Sequence, residues 1–68
     1  MEHSTTTYIA TRRAAIYASP SVKATTAAWV LRGQAVPGRP AGEGWIAVER
    51  DGVVLGYVKA GALQVVQR

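Results

Sequence analysis

Trp45-Ile46-Ala47-Val48-Glu49-Arg50-Asp51-Gly52-Val53-Val54-Leu55-Gly56-Tyr57-Val58 is the stretch that decides the fold. Trp45 to Glu49 alternates as a strand does, Asp51-Gly52 marks a hairpin turn, and Val53 to Val58 returns. The apolar pattern sets the register. With Val48 opposite Gly56 and Ile46 opposite Val58, the side chains of Ile46, Val48 and Val58 share one face. Trp45, Ala47 and Tyr57 then share the other. A slip of one residue sets Val58 against Trp45 and mixes the two sets, so burial selects the first register. It leaves Asp51 to Val53 in the turn, a three-residue hairpin loop with a bulge.

Outward from the hairpin the signals stay short and two-periodic, with Gly and Pro as punctuation. Downstream, Lys59-Ala60-Gly61 reads as a helical turn and Ala62 to Val66 as a closing strand. Upstream, Pro37 to Gly44 reads as a loop, five of its eight residues being Gly or Pro. Before it come Gln34-Ala35-Val36, the turn Arg32-Gly33, and Thr25 to Leu31, where the Thr pair and Trp-Val favour a strand over the helix that Ala27 and Ala28 prefer. Ala14 to Tyr17 is a strand stopped by Ala18-Ser19-Pro20-Ser21, and Tyr8 to Thr11 is the first extended piece. Residues 1–7, polar and Thr-rich, read as a flexible tail ahead of a domain over 8–68. The expected fold is all-β: a small barrel of five to six short antiparallel strands. Its expected core is Ile16, Val30, Val36, Ile46, Val48, Val58 and Leu63.

Composition narrows the function. Sixty-eight residues, 49% of them hydrophobic, suffice for one small domain and exclude a cleft between two lobes. A chain this short buries only about 60% of the surface its unfolded form exposes. Without Cys and with His3 as the sole His, it has no disulfide framework, and neither a metal nor a cofactor is expected. His3 falls in the tail, while Glu49 and Asp51 fall at the hairpin tip and are expected open to water. No nucleophile has a base within reach, so no enzyme is expected. A net charge of +4 can draw anionic partners, and it also lies within the range that keeps a small domain soluble. Only Arg12 and Arg13 are adjacent. A patch of Arg12, Arg13, Arg32 and Arg39 requires the first strand to meet the Pro-rich loop, so nucleic acid is the less favoured partner. No stretch has the length of a membrane span, and the start lacks the features of a signal peptide. The expected location is cytoplasmic if the N-terminus is native, and the cell envelope if the domain comes from a longer exported chain.

The order of turns resembles bacterial Src-homology-3 (SH3b) domains. Ala14-Ala15-Ile16-Tyr17-Ala18-Ser19-Pro20-Ser21 is similar to that family's L-N-V-R-S-G-P-S opening, and Val30-Leu31-Arg32-Gly33-Gln34-Ala35-Val36 to its L-K-K-G-x-x-V. Gly44-Trp45-Ile46-Ala47-Val48 resembles G-W-x-x-V, and Asp51-Gly52, Gly56-Tyr57-Val58 and Leu63 follow in the family's order. The family's Arg is replaced here by Tyr17 and its Gly by Ser19, and the final hairpin is one residue longer. The resemblance implies an SH3-like barrel and a non-catalytic module, found in cell-envelope proteins and wall hydrolases, that binds peptidoglycan peptides, binds a protein partner or serves a purely structural role.

The candidate contact residues are the large side chains that the core does not use. Trp45 and Tyr57 face outward on neighbouring strands, either as a binding surface or as a lid over the small core. Tyr17 can line an aromatic groove with Trp45, and the loop groups of Ser19 and Ser21 can give a ligand direction. By alternation from an inward Val30, Trp29 and Leu31 point outward as a separate patch for a partner or a second copy. Pro37-x-x-Pro40 with Arg39 has the outline of a polyproline ligand, but between strands of a compact domain Pro is loop punctuation. The expected function is recognition of a peptide, cell-wall glycopeptide or protein partner through a shallow aromatic groove. A homo-oligomerisation or interdomain docking role is the alternative.

Overall fold

The computed structural model describes residues 5–66. Seven strands run β1 Thr6–Ala10, β2 Ala14–Tyr17, β3 Thr26–Val30, β4 Ala35–Pro40, β5 Trp45–Arg50, β6 Val53–Lys59 and β7 Leu63–Val65, with a 3₁₀ turn at Ala60–Ala62 before the last. All pair antiparallel in one sheet of order β3-β2-β6-β5-β4-β1-β7. The sheet is not closed, and β3 and β7 are its edges. It curls far enough to gather Ala10, Ile16, Val30, Val48, Val58 and Ala62 into one core. The molecule is thus all-β and barrel-like. The strands number seven rather than the expected five to six, because every one of the short extended pieces pairs as a strand of its own, the two at the ends with each other. Among the described residues no helix is long and apolar enough to cross a membrane.

The β5–β6 register is the one the apolar pattern selects: Ile46 faces Val58, Ala47 faces Tyr57 and Val48 faces Gly56. The turn differs from expectation. Arg50 pairs with Val53, so only Asp51 and Gly52 lie in it, at φ 55° and 79°. Positive φ at both central residues is what a two-residue hairpin needs to match strand twist, and Asp-Gly supplies it at low cost. The surplus residue moves into β6 as a bulge, where the register shifts beside Val48 and Glu49 and leaves Leu55 unpaired.

The segment 37–44, expected as a loop, is half strand. Gly38 pairs with both Thr6 and Val48. A Cβ there would lie 2.7 Å from the Ala47 carbonyl oxygen and 2.9 Å from Ile46 Cγ2, so Gly marks a close approach rather than a turn. Pairing with β5 starts only at Gly38, and Pro40 ends the strand, so both prolines are tolerated. Gly56 has the same role on β6. A Cβ there would overlap Ile16 Cγ2 and lie 2.8 Å from the Tyr17 carbonyl oxygen.

Thr6 and Thr7, read as tail, pair with Gly38 and Pro37, β-branched residues meeting an available strand edge. Residues 1–4 of that segment, His3 included, lie outside the described residues. Of the expected core, Ile16, Val30, Ile46, Val48 and Val58 are buried, while Val36 and Leu63 are half-buried and pack against it. Tyr8, Ala10, Ala47 and Ala62 are buried as well. Ala62 also ties the two ends of the sheet together. The Thr11 N–H and hydroxyl both donate to its carbonyl oxygen, at 2.9 and 3.2 Å, where the two ends of the sheet cross.

Candidate functional site

Strand alternation and register lay five strands' outward residues side by side. Ala15 faces Trp29, Tyr17 faces Tyr57, Tyr57 faces Ala47, and Ala47 faces Arg39. The outer face therefore carries Trp29, Ala15, Tyr17, Tyr57, Trp45, Ala47 and Arg39 without interruption. Tyr17 and Trp45 meet edge to face, with centroids 5.7 Å apart at 81°. That geometry sets the positive ring edge against the negative face and contributes about 0.5–1.5 kcal/mol beyond burial. Trp45 and Tyr57 are half-buried and shield Ala47 beneath them.

Beside this aromatic pair lies a groove of about 210 Å³. Ala14, Ala15 and Ala62 contribute small side chains to its lining, Tyr17 and Trp29 aromatic ones, and Arg12, Arg13 and Lys59 its charge. Among the described residues no carboxylate lines it. The Arg13 guanidinium sits 5.0 Å from the centroid of the Trp29 ring, a cation–π contact, and the residue stays 55% exposed. Three cations, two aromatic side chains and the alanine methyl groups line a slot in which a planar or extended anionic group can lie.

The structure brings together most of the residues singled out from the sequence. Tyr17, Trp45 and Tyr57 share one face, with Tyr17 touching Trp45. Trp29, expected as part of a separate patch, shares the groove with Tyr17. Leu31 is exposed but lies beyond the end of β3, where its N–H donates to Gln34 Oε1 at 2.9 Å, and it does not line the groove. Ser19 and Ser21 are exposed and stay apart from it. Their groups stabilise their own loop: the Ser21 N–H donates to the Ser19 carbonyl at 2.7 Å, and the Ser21 hydroxyl accepts from the Lys23 N–H at 3.2 Å.

The charges are distributed otherwise than expected. Of the four arginines considered as a patch, Arg12 and Arg13 line the groove and are joined there by Lys59. Arg32 lies in the β3–β4 turn, and Arg39 is engaged elsewhere. Glu49, expected open to water at the hairpin tip, is buried, and its Oε2 lies 2.9 Å from Arg39 Nε. The hairpin tip is only Asp51-Gly52, and Glu49 sits one diagonal from Arg39 across β4–β5. The charges meet off the N–H axis, for the Arg39 Nε–H has no aligned acceptor; this is an ion pair rather than a linear hydrogen bond. Lys59 was missed in the sequence, although the register that sets Trp45 opposite it was readable. No protein-family model, no curated protein and no solved structure matches this chain.

Proposed function

We propose that the domain is a non-catalytic binding module of the bacterial SH3 kind, taking a short extended peptide or cell-wall glycopeptide that carries a carboxylate. One observation carries this reading: the groove between Tyr17 and Trp29 gathers Arg12, Arg13 and Lys59 with no acid among its lining residues. Charge-assisted hydrogen bonds from a guanidinium to a carboxylate are short, directional and about twice as strong as neutral ones. The aromatic side chains add rigid contact area at little entropic cost, and the small Ala side chains let a ligand backbone approach. A shallow slot offers limited area against the cost of association, so affinity falls on the order of micromolar to millimolar. A place in the cell envelope follows if the domain works within an exported protein.

The test is a titration of isotope-labelled domain with soluble muropeptides and with an acidic hexapeptide, followed by amide and indole shifts. Shifts are expected at Arg12, Arg13, Ala15, Tyr17, Trp29 and Lys59, weakening as salt rises. The reading is overturned by an absence of shifts up to millimolar ligand. It is equally overturned if only an oligothymidylate moves these signals, with a steep log–log salt slope, since phosphate rather than carboxylate would then be the partner.

A further inference from the structure

A second surface lies beside β3, one of the two open edges of the sheet. β3 and β4 are consecutive, joined through the tight turn at Leu31–Gln34, yet they do not pair. They diverge and leave a seam of about 160 Å³. Ile16, Val30 and Val48 of the core line it, with Val36 beside them and Trp29 and Leu55 at its rim. The seam is therefore a window onto the hydrophobic core. Leu55, pushed out of register by the bulge, is half exposed there.

β3 itself is an edge strand with few of the usual protections; the one it has is the bulge at Ala27, left unpaired between Ala28–Ile16 and Thr26–Tyr17. Thr26, Ala27, Ala28 and Trp29 are all exposed, and the strand contains no Lys, no Pro and no inward charge. Its flanks are basic: Lys23 precedes it, Arg32 follows it, and Arg50 lines the seam. Glu49, also lining the seam, is taken up by Arg39. An extended segment laid along β3 gains main-chain hydrogen bonds from the free edge, and alternate side chains point into the seam. A second copy of this chain is a poor occupant. Antiparallel pairing of β3 with itself brings Lys23 of one copy toward Arg32 of the other, and like charges facing across strands destabilise.

From these features we infer that β3 accepts an added strand from a partner protein, an acidic β-branched segment that seats one apolar side chain in the seam between β3 and β4. Backbone pairing supplies most of the attachment. The seam fixes register by admitting one apolar side chain beside Val30, and the basic flanks select acidic ends. The seam shares Trp29 with the groove and no other lining residue, so Arg12, Tyr17 and Lys59 report on the groove while Val30, Val48 and Leu55 report on the seam.

The probe is a capped peptide, Glu-Glu-Val-Thr-Val-Thr-Val-Glu-Glu, titrated into the labelled full chain with amide shifts and hydrogen exchange read residue by residue. Saturation is expected to slow exchange at Thr26 to Val30 by roughly tenfold or more. Leu55→Glu, at a half-exposed position, and Arg32→Glu, in an exposed turn, are each expected to weaken binding about tenfold with the far-ultraviolet spectrum unchanged. Val65→Glu on β7, the other open edge, is expected to leave it within about twofold. Four outcomes overturn the inference: perturbation confined to the groove residues or to β7; equal affinity for a peptide with Lys in place of every Glu; concentration-dependent protection of β3 without peptide, which makes a second copy the occupant; or no binding at millimolar peptide. Muropeptide shifts at Arg12, Tyr17 and Lys59 report on the groove independently in the same samples.

Discussion

The β5–β6 hairpin is joined by a two-residue turn and pairs from Trp45–Lys59 down to Arg50–Val53, while β2–β3 is joined through residues 18–25 and pairs only from Ala14–Val30 to Tyr17–Thr26, each with one bulge on the way. Both are built from small, β-branched and aromatic residues. They differ in what covers them. β5 has a neighbour on each side, its inward Ile46 and Val48 are buried, and even its outward Ala47 and Glu49 are shielded. β3 has one neighbour and one buried side chain, Val30. A strand covered on both faces and both edges has most of its side chains committed to packing. A strand covered on one side keeps backbone groups and an indole available to a partner. In a domain this small, the β5–β6 hairpin is the more deeply covered of the two and the β2–β3 hairpin the more open.

The difference is tested most severely at Gly56. Gly56→Val forces a branched side chain into Ile16 and the Tyr17 backbone, and it is expected to cost about 3 kcal/mol or more, enough to leave the domain largely unfolded in urea titrations at 25 °C. Arg39→Ala comes next. It leaves the Glu49 carboxylate buried without its partner, at an expected cost of roughly 1–2 kcal/mol by the same measurement. The pair is half open on the arginine side, which keeps the effect below that of a fully buried ion pair. Trp29→Ala is expected to change stability least, by under about 1 kcal/mol, while lowering affinity for a carboxylate-bearing peptide roughly tenfold. Should Trp29→Ala cost as much stability as Gly56→Val, the two hairpins would not differ in role, and the comparison would collapse.

How far the sequence could be read follows from the range of the forces involved. The β5–β6 register was legible because a single slip would place Val58 against Trp45, and a local turn signal marked where the chain reverses. Tyr17, Trp29, Trp45 and Tyr57 were legible as outward residues for the same local reason, strand alternation. The strand at Ala35–Pro40 was not. Its Gly38 answers to the Ala47 carbonyl and Ile46 Cγ2, atoms that approach it only after β4 and β5 have paired. The bulge at Leu55 was placed in the turn instead, since apolar counting cannot say where a surplus residue will go. The groove's charge was illegible as a cluster, because Lys59 joins Arg12 and Arg13 only through the crossing of Thr11 and Ala62. Glu49 was misread for a related reason: its partner Arg39 lies in a stretch whose composition announces a loop.

That crossing also bears on how fast the molecule can form. The Asp51-Gly52 hairpin involves neighbours in the chain and can assemble in microseconds, before anything else has happened. Thr11 and Ala62 are 51 positions apart, and β1 can zip to β7 only after the intervening chain has been drawn into place. Non-local closure of this sort puts a small all-β domain among the slower, topology-limited folders, in the range of milliseconds to seconds. The clasp forms late, so Thr11→Ala is expected to hasten unfolding in stopped-flow experiments and to leave the folding rate almost unchanged.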